Sequence, residues 1–214
     1  MAVTSAEFDA MPQTPYARAR KQLRTGDILL FHSSGIQSEL IEHFTGSLWC
    51  HAALVWYIKA IDRFMLLESV DTYGVRCLRL SSKINGCPPS PSPYPGKLLV
   101  VRHKQLADGM TDDQTRDMTA FAVDRLGYPY SPLELVRIGL RIAAGLVHQE
   151  LPGHLQPKNA YVCSEYVAEC LSAAGVTIAR DPEGFLAPGD IATDPNIDRK
   201  FSLVPDPPTP QGGA

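Results

Sequence analysis

Three β-rich segments in the first half of the chain decide the class of fold. Residues 49–58 read WCHAALVWYI, residues 64–70 read FMLLESV and residues 74–80 read GVRCLRL. Short apolar runs rich in aromatic and β-branched residues are typical of strands. Two further strands are predicted at residues 28–31 (ILLF) and 97–102 (KLLVVR).

Helical signals dominate the second half. Thr111 with Gln114 forms a capping box that opens one helix, and the long apolar helix predicted over 132–151 has a second capping box. A third helix is predicted over 161–175, and a short one over 36–44. Strands followed by helices predict an α+β fold with one antiparallel sheet packed against helices.

The 214 residues favour a single domain. Residues 1–24 are predicted to form a polar lead-in, residues 25–204 the domain, and residues 205–214 a flexible tail rich in proline and glycine. Residues 85–96 (NGCPPSPSPYPG) are predicted to form an extended surface loop, because proline cannot donate to a β-ladder.

Composition excludes several classes of function. The net charge of −3 argues against general binding of nucleic acid. The N-terminus lacks the charged and apolar regions of a secretory signal, which predicts a cytoplasmic protein. Five cysteines without a CxxC pair argue against a disulfide framework and a structural zinc site.

Cys163 is the candidate nucleophile. It lies in YVCSEY (161–166), at the start of a helix whose apolar residues recur at helical spacing. The N–H groups and dipole of a helix start favour a thiolate and can stabilise an oxyanion. The alternative is that Cys163 is a small buried apolar residue. Cys170, in the middle of the helix, is assigned to the core.

His51 is the candidate general base. A histidine inside a β-run must find partners for its ring nitrogens. Strand alternation places His51 with Ala53 and Val55 on one face of the sheet, and Cys50 with Ala52 on the other. Cys50 therefore cannot be its nucleophile. A core histidine with satisfied hydrogen bonds is the alternative.

Glu68 is the candidate third residue, because a carboxylate in an apolar strand is rarely buried without a partner. A hairpin with an even-length loop places Glu68 on the same face as His51. A tight turn at 59–60 would set the two residues directly opposite, whereas a longer loop around 61–62 would offset them. The alternative is an edge-strand glutamate that faces water.

Together these segments carry a family resemblance. GDILL (26–30), WCHAALV (49–55) and YVCSEY (161–166) resemble, in that order, the permuted NlpC-like, papain-fold cysteine amidases, which are distant relatives of the lecithin:retinol acyltransferases. GYPY (127–130) is similar to the family's G-x-x-Y turn. The resemblance spans about residues 25–191.

The resemblance implies a papain-like, circularly permuted fold with the nucleophile at a helix N-terminus. It implies roles for His51 as general base, Glu68 as its orienting residue and Cys163 as nucleophile, in thiol acyl transfer that requires no metal or cofactor. The proline-rich loop departs from the family pattern. Tyr130 and Tyr161 are candidates for lining the cleft.

Three functions stay open at this point. The first is an amidase or peptidase acting on a peptide or amide substrate, such as a cell-wall peptide or a lipidated amine. The second is a lipid-directed acyltransferase or esterase that touches a membrane surface through helix 132–151, although a buried helix has the same composition. The third is a non-catalytic assembly module, for example in a virion, whose partners hold the termini.

Overall fold

The computed structural model describes residues 5–32, 47–87, 92–130, 162–180 and 186–208. The strands are β1 (Gln13–Pro15), β2 (Ile28–His32), β3 (His51–Ile58), β4 (Arg63–Val70), β5 (Gly74–Arg79), β6 (Lys97–His103) and β7 (Ile197–Val204). The helices are α1 (Ser5–Asp9), α2 (Tyr16–Ala19), α3 (Leu80–Asn85), α4 (Asp112–Val123), α5 (Cys163–Ala173) and α6 (Pro188–Thr193). Single 3₁₀ turns cover Lys59–Ile61 and Lys104–Leu106.

The fold is α+β, and the described residues form one mixed seven-stranded sheet in the order β1-β7-β6-β2-β3-β4-β5. The predicted strands are all present, and their neighbours in the sheet pair antiparallel. The prediction of a purely antiparallel sheet is wrong at one edge, where β1 pairs with β7 in parallel. The cause is that residues 13–15, in the predicted lead-in, extend alongside the last strand.

The β3–β4 hairpin sets the register on which the site depends. Its loop is a 3₁₀ turn that ends at Asp62, which has a left-handed φ of 49°. The pairing runs from Ile58↔Arg63 to Leu54↔Leu67. One further step along this register places Glu68 across from Ala53. The loop is therefore the longer of the two alternatives, and Glu68 is offset from His51 by two residues.

The sheet separates two apolar cores, and the alternation predicted for β3 is confirmed. Ala52 and Leu54 pack in the core covered by α4 and α5. Ala53 and Val55 pack in the core on the opposite face, beneath α2 and α3. Both cores form because each strand sends alternate side chains to opposite faces.

Residues from the predicted lead-in and tail contribute to this packing. Phe8 is buried against Trp49, with ring centroids 5.6 Å apart, and Tyr16 is buried in the core on the other face. At the other end of the chain, Asp206 accepts hydrogen bonds from the Ala17 N–H (2.7 Å) and the Asn85 side chain (2.8 Å). The chain before residue 25 is thus attached to the sheet on both of its faces.

The GDILL segment owes its geometry to a buried ion pair. Asp27 is fully buried directly before β2, and its carboxylate accepts hydrogen bonds from Arg102 Nε (2.5 Å) and Nη2 (2.9 Å). The N–H of Arg24 also donates to it, at 2.8 Å. Asp27 therefore fixes the start of β2 against β6 and does not belong to the candidate site.

The helix predicted from Thr111 is confirmed with its capping box, in which the side chains of Thr111 and Gln114 each accept from the other's N–H at 3.1 Å. It ends at Val123, and Leu126, just beyond its end, is exposed. The helix predicted over 161–175 corresponds to α5. The helices predicted over 36–44 and 132–151 lie outside the described residues, as do Tyr161 and the centre of the proline-rich loop.

Candidate active site

Helix α5 begins at Cys163 and packs its apolar stripe on β3 and β4. Val162, the residue before the helix, is extended (φ −83°, ψ 160°) and makes no side-chain cap. The first N–H groups of a helix have no partner within the helix, so this terminus presents donors at the position of the sulfur. The Cys163 residue itself is only 6% exposed.

Main-chain donors hold the sulfur of Cys163. The β3–β4 pairing stops at Leu54↔Leu67, and Ala52 lies just beyond it. The N–H of Ala52 and the N–H of Ser164 both donate to Cys163. The end of the β-ladder and the start of α5 therefore meet at the thiol.

His51, the first residue of β3, bridges Cys163 and Glu68. Its side chain is 18% exposed, and its ring lies 5.1 Å from the Phe31 ring, centroid to centroid. Nε2 is 2.8 Å from Glu68 Oε2, and the ring also hydrogen-bonds Cys163. Because Nε2 is engaged by the carboxylate, Nδ1 is the nitrogen left to face the sulfur.

Glu68 is fully buried, so the alternative of a glutamate facing water is wrong. Its Oε1 accepts hydrogen bonds from Arg76 Nε (2.8 Å) and Nη2 (2.5 Å). Lys83 Nζ on α3 is 3.9 Å from Oε2, the oxygen bonded to His51. The two-residue offset between Glu68 and His51 is spanned because diagonal neighbours in a hairpin lie within reach of long side chains.

Cys163, His51 and Glu68 shift one another's pKa values. Burial would raise the pKa of the Cys163 thiol, but the His51 imidazolium and its hydrogen bond lower it below the ordinary value. Burial would likewise lower the pKa of His51, but the Cys163 thiolate and then the Glu68 carboxylate raise it to about 9. Burial opposes ionisation of Glu68, yet His51, followed by Lys83 and Arg76, lowers its pKa to about 2. These shifts favour the thiolate, the imidazolium and the carboxylate over the corresponding neutral forms.

Tyr130 lies close to this group, as the sequence suggested. The preceding turn is attached to β5, since Gly127 donates to the Val75 carbonyl (2.9 Å) and Val75 donates to the Tyr128 carbonyl (2.8 Å). Burial raises the pKa of the Tyr130 phenol, and the charge of Cys163 raises it further. The hydroxyl therefore stays protonated beside the thiolate.

The other cysteines are apart from the site. Cys170 is fully buried in the core, as predicted, and burial raises its pKa to about 12. The thiol of Cys50 donates to the Phe31 carbonyl (3.3 Å). Cys87 is exposed, and Cys77 is partly buried.

Sequence reasoning missed Arg76 and Lys83. Arg76 lies directly opposite Glu68 in the β4–β5 pairing, so a search for a cation across from the buried carboxylate would have found it. Lys83 had no comparable signal, because α3 follows β5 at once and was not predicted as a helix.

Within the described ranges, no helix is long and apolar enough to cross a membrane. The same residues contain no cluster of three or more His, Cys, Asp or Glu side chains arranged to hold a metal ion.

Comparisons with known proteins support the fold alone. No protein-family model matches the chain, and no curated protein matches it. Among solved structures, the chain resembles the metalloprotein yiiX from Escherichia coli O157:H7, a protein of the class DUF1105, with a TM-score of 0.59 and 17% sequence identity. The match covers 86% of this chain and 99% of that one.

Proposed function

We propose that this protein is a cysteine hydrolase of the permuted NlpC-like, papain-fold type, which cleaves an amide bond by thiol acyl transfer. The observation that carries the proposal is the continuous hydrogen-bonded series from Cys163 through His51 to Glu68, at the start of a helix without a side-chain cap. A nucleophile, a base and a group that orients the base are the parts required for covalent catalysis.

The first half-reaction forms an acyl-enzyme. The Cys163 thiolate attacks the carbonyl carbon of the substrate, and the carbonyl π-electrons move to its oxygen. The N–H groups at the start of α5 stabilise that oxyanion. As the C–N bond breaks, the His51 imidazolium gives its proton to the departing amine nitrogen. The products are a thioester at Cys163 and a free amine.

The second half-reaction restores the enzyme. His51, now neutral, accepts a proton from water while the water oxygen attacks the thioester carbonyl. The carboxylic acid leaves, and the Cys163 thiolate and His51 imidazolium are formed again. Throughout, Glu68 fixes the tautomer and orientation of His51 and stabilises its charged form.

Competitive alkylation tests the nucleophile. If exposure governs reactivity, iodoacetamide at pH 6 labels the exposed Cys87 first. If thiolate character governs it, the almost buried Cys163 is labelled first. We expect peptide mapping to find Cys163 labelled ahead of Cys50, Cys77, Cys87 and Cys170. His51→Gln should abolish this preference, whereas Cys170→Ala should leave it unchanged. Preferential labelling of Cys87 in the wild-type protein would refute the proposal.

A substrate panel tests the reaction. Wild-type protein and Cys163→Ser are incubated with cell-wall peptides, N-acyl amines and aryl esters, and release of amine or alcohol is measured. Hydrolysis of an amide that Cys163→Ser cannot perform supports the proposal. Acyl transfer to an added amine with no hydrolysis would instead indicate an acyltransferase, and no turnover together with unselective alkylation would indicate an assembly module.

Because the structural neighbour is named a metalloprotein, the panel includes a chelator. The proposed steps use no metal, and both ring nitrogens of His51 are engaged by hydrogen bonds. We therefore expect EDTA to leave the rate unchanged and added Zn²⁺ to inhibit by competing for the thiolate. Loss of activity in EDTA, with recovery on addition of metal, would contradict the mechanism.

A further inference from the structure

Arg76 contacts Glu68 in the same site, and the inference drawn from this contact rests on the proposed function. We propose that Arg76 is a positioning residue: it holds one oxygen of Glu68 so that the other oxygen is directed at His51. Lys83 supplies a second positive charge beside the carboxylate without directing it.

The division of the two carboxylate oxygens supports this role. Both Arg76 bonds, from Nε and Nη2, go to Oε1, and the His51 bond goes to Oε2. A guanidinium presents its donors in a rigid plane, so two bonds to one side of a carboxylate fix the direction of the other side. With Oε1 held by two donors, rotation of the Glu68 carboxylate would lengthen the Arg76 bonds and the His51 bond together.

The backbone keeps Arg76 in place. Glu68 and Arg76 are directly opposite each other in the β4–β5 ladder, the pairing in which side chains approach most closely. The guanidinium carbon also lies 4.9 Å from the centroid of the Tyr73 ring. The Arg76 side chain is 31% exposed while Glu68 is fully buried. Arg76 therefore reaches inward from the rim of the sheet.

Lys83 differs from Arg76 in its geometry. Its Nζ is 3.9 Å from Glu68 Oε2, which is longer than a hydrogen bond. It lies over the rings of Phe31 (5.2 Å) and Tyr94 (5.9 Å), which hold it by cation–π attraction. Lys83 therefore adds charge to the site but fixes no direction for the carboxylate.

The charged groups around His51 come from several elements. They are Cys163 on α5, Glu68 on β4, Arg76 on β5 and Lys83 on α3. The charge of Cys163 acts on Tyr130, and so do the charges of Asp71 and Glu165. Loss of a positive charge from this group disfavours both the thiolate and the carboxylate, and it relieves repulsion of the imidazolium. The pKa values of the Cys163 thiol, the Glu68 carboxyl and the His51 imidazolium would therefore all rise.

The test uses the variants Arg76→Met, Arg76→Lys and Lys83→Met. Together they separate the effect of positive charge beside Glu68 from the effect of the direction in which its carboxylate is held. The main readout is the pH at which iodoacetamide alkylation of Cys163 is half-maximal. We expect Arg76→Met and Lys83→Met each to raise this midpoint by about one pH unit, because each removes one positive charge beside Glu68. Arg76→Lys keeps the charge, so its midpoint should stay at the wild-type value. Its kcat/KM should nevertheless fall about 10- to 100-fold, because the carboxylate is no longer held by a planar fork.

Two controls complete the design. Arg79→Met removes a cation from an exposed position of the same strand, and it should shift neither quantity. In a Glu68→Gln background, Arg76→Met should have almost no further effect, because Arg76 acts through Glu68. Full additivity of the two substitutions would overturn the inference.

The two proposals fail in different ways. If Cys163 of the wild-type protein is not alkylated selectively, the proposed function fails. If it is alkylated selectively but Arg76→Lys keeps the wild-type kcat/KM, the inference about Arg76 fails and the proposed function stands.

Discussion

Replacement of Glu68 by glutamine is the most informative single change. The substitution preserves side-chain size, removes the negative charge from Oε2 and leaves Cys163 and His51 in place. Glu68 is fully buried, so water cannot take over its role at the imidazole. The protein should keep its nucleophile and lose the group that orients and charges its base.

The pKa shift of Glu68 gives the expected size of the decrease in kcat/KM. The pKa of Glu68 falls from 4.5 to about 2, a shift worth about 3 kcal/mol in favour of the carboxylate. This energy is shared by His51, Lys83 and Arg76, and the hydrogen bond from His51 is the largest favourable contribution. A loss of about 1.5–3 kcal/mol at the transition state corresponds to a decrease in kcat/KM of about 10- to 150-fold.

The pH profile gives an independent readout. The pKa of His51 is about 9, and the Cys163 thiolate raises it more than Glu68 does. Without Glu68, we expect the alkaline decrease in kcat/KM to remain but to occur at a pH lower by about one unit. The assay is amide hydrolysis from pH 5 to 10, with Glu169→Gln as the control, since that carboxylate lies on the same helix as Cys163 and not in the site. An alkaline limb still near 9 and a rate within twofold of wild type would refute the assignment of Glu68.

Three further predictions concern the pKa of His51, the dependence of stability on pH and the buried ion pair of Asp27 with Arg102. In Cys163→Ser, the pKa of His51 should fall from about 9 by about one unit or more, because the thiolate is its strongest favourable partner; histidine NMR titration measures this, and an unchanged value would contradict the ion pair. The joint contribution of Glu68 and His51 to the free energy of unfolding should be greatest between about pH 4.5 and 6.5: Glu68 has a lowered pKa, so its contribution is lost as pH falls toward about 2, and His51 has a raised pKa, so its contribution is lost as pH rises through about 9. Urea unfolding across pH should show this maximum flattened in Glu68→Gln, and parallel curves for the two proteins would count against the linkage. Asp27→Asn should lower the free energy of unfolding by about 3–5 kcal/mol, because it leaves Arg102 buried without its carboxylate, while the alkylation midpoint of Cys163 stays the same; a shifted midpoint would show that Asp27 acts on the site.

Local patterns were sufficient for most of the elements around the site. The alternation in residues 51–55 placed His51 on the correct face of β3, because side chains of a strand alternate whatever the strand pairs with. The helical spacing after Val162 placed Cys163 in the first turn of α5, since that spacing depends only on helix geometry. Both predictions needed no knowledge of distant parts of the chain.

Register could not be obtained in this way. Residues 59–62 were compatible with a tight turn or a longer loop, and the choice depends on the left-handed conformation of Asp62, which the structure connects to Arg20 by a 2.7 Å ion pair. A contact between residues 42 positions apart leaves no local pattern. The same is true of the parallel pairing of β1 with β7, which joins the two ends of the chain.

The α+β class, the face occupied by His51 and the helix start occupied by Cys163 could all be predicted from the sequence, because periodicity and capping are properties of short segments. The hydrogen bonds that join the sulfur, the imidazole and the carboxylate could not, and neither could the positions of Arg76 and Lys83 beside Glu68. Burial and charge pairing depend on which distant segments pack together, so a buried carboxylate indicates that a cation is near without indicating which residue provides it.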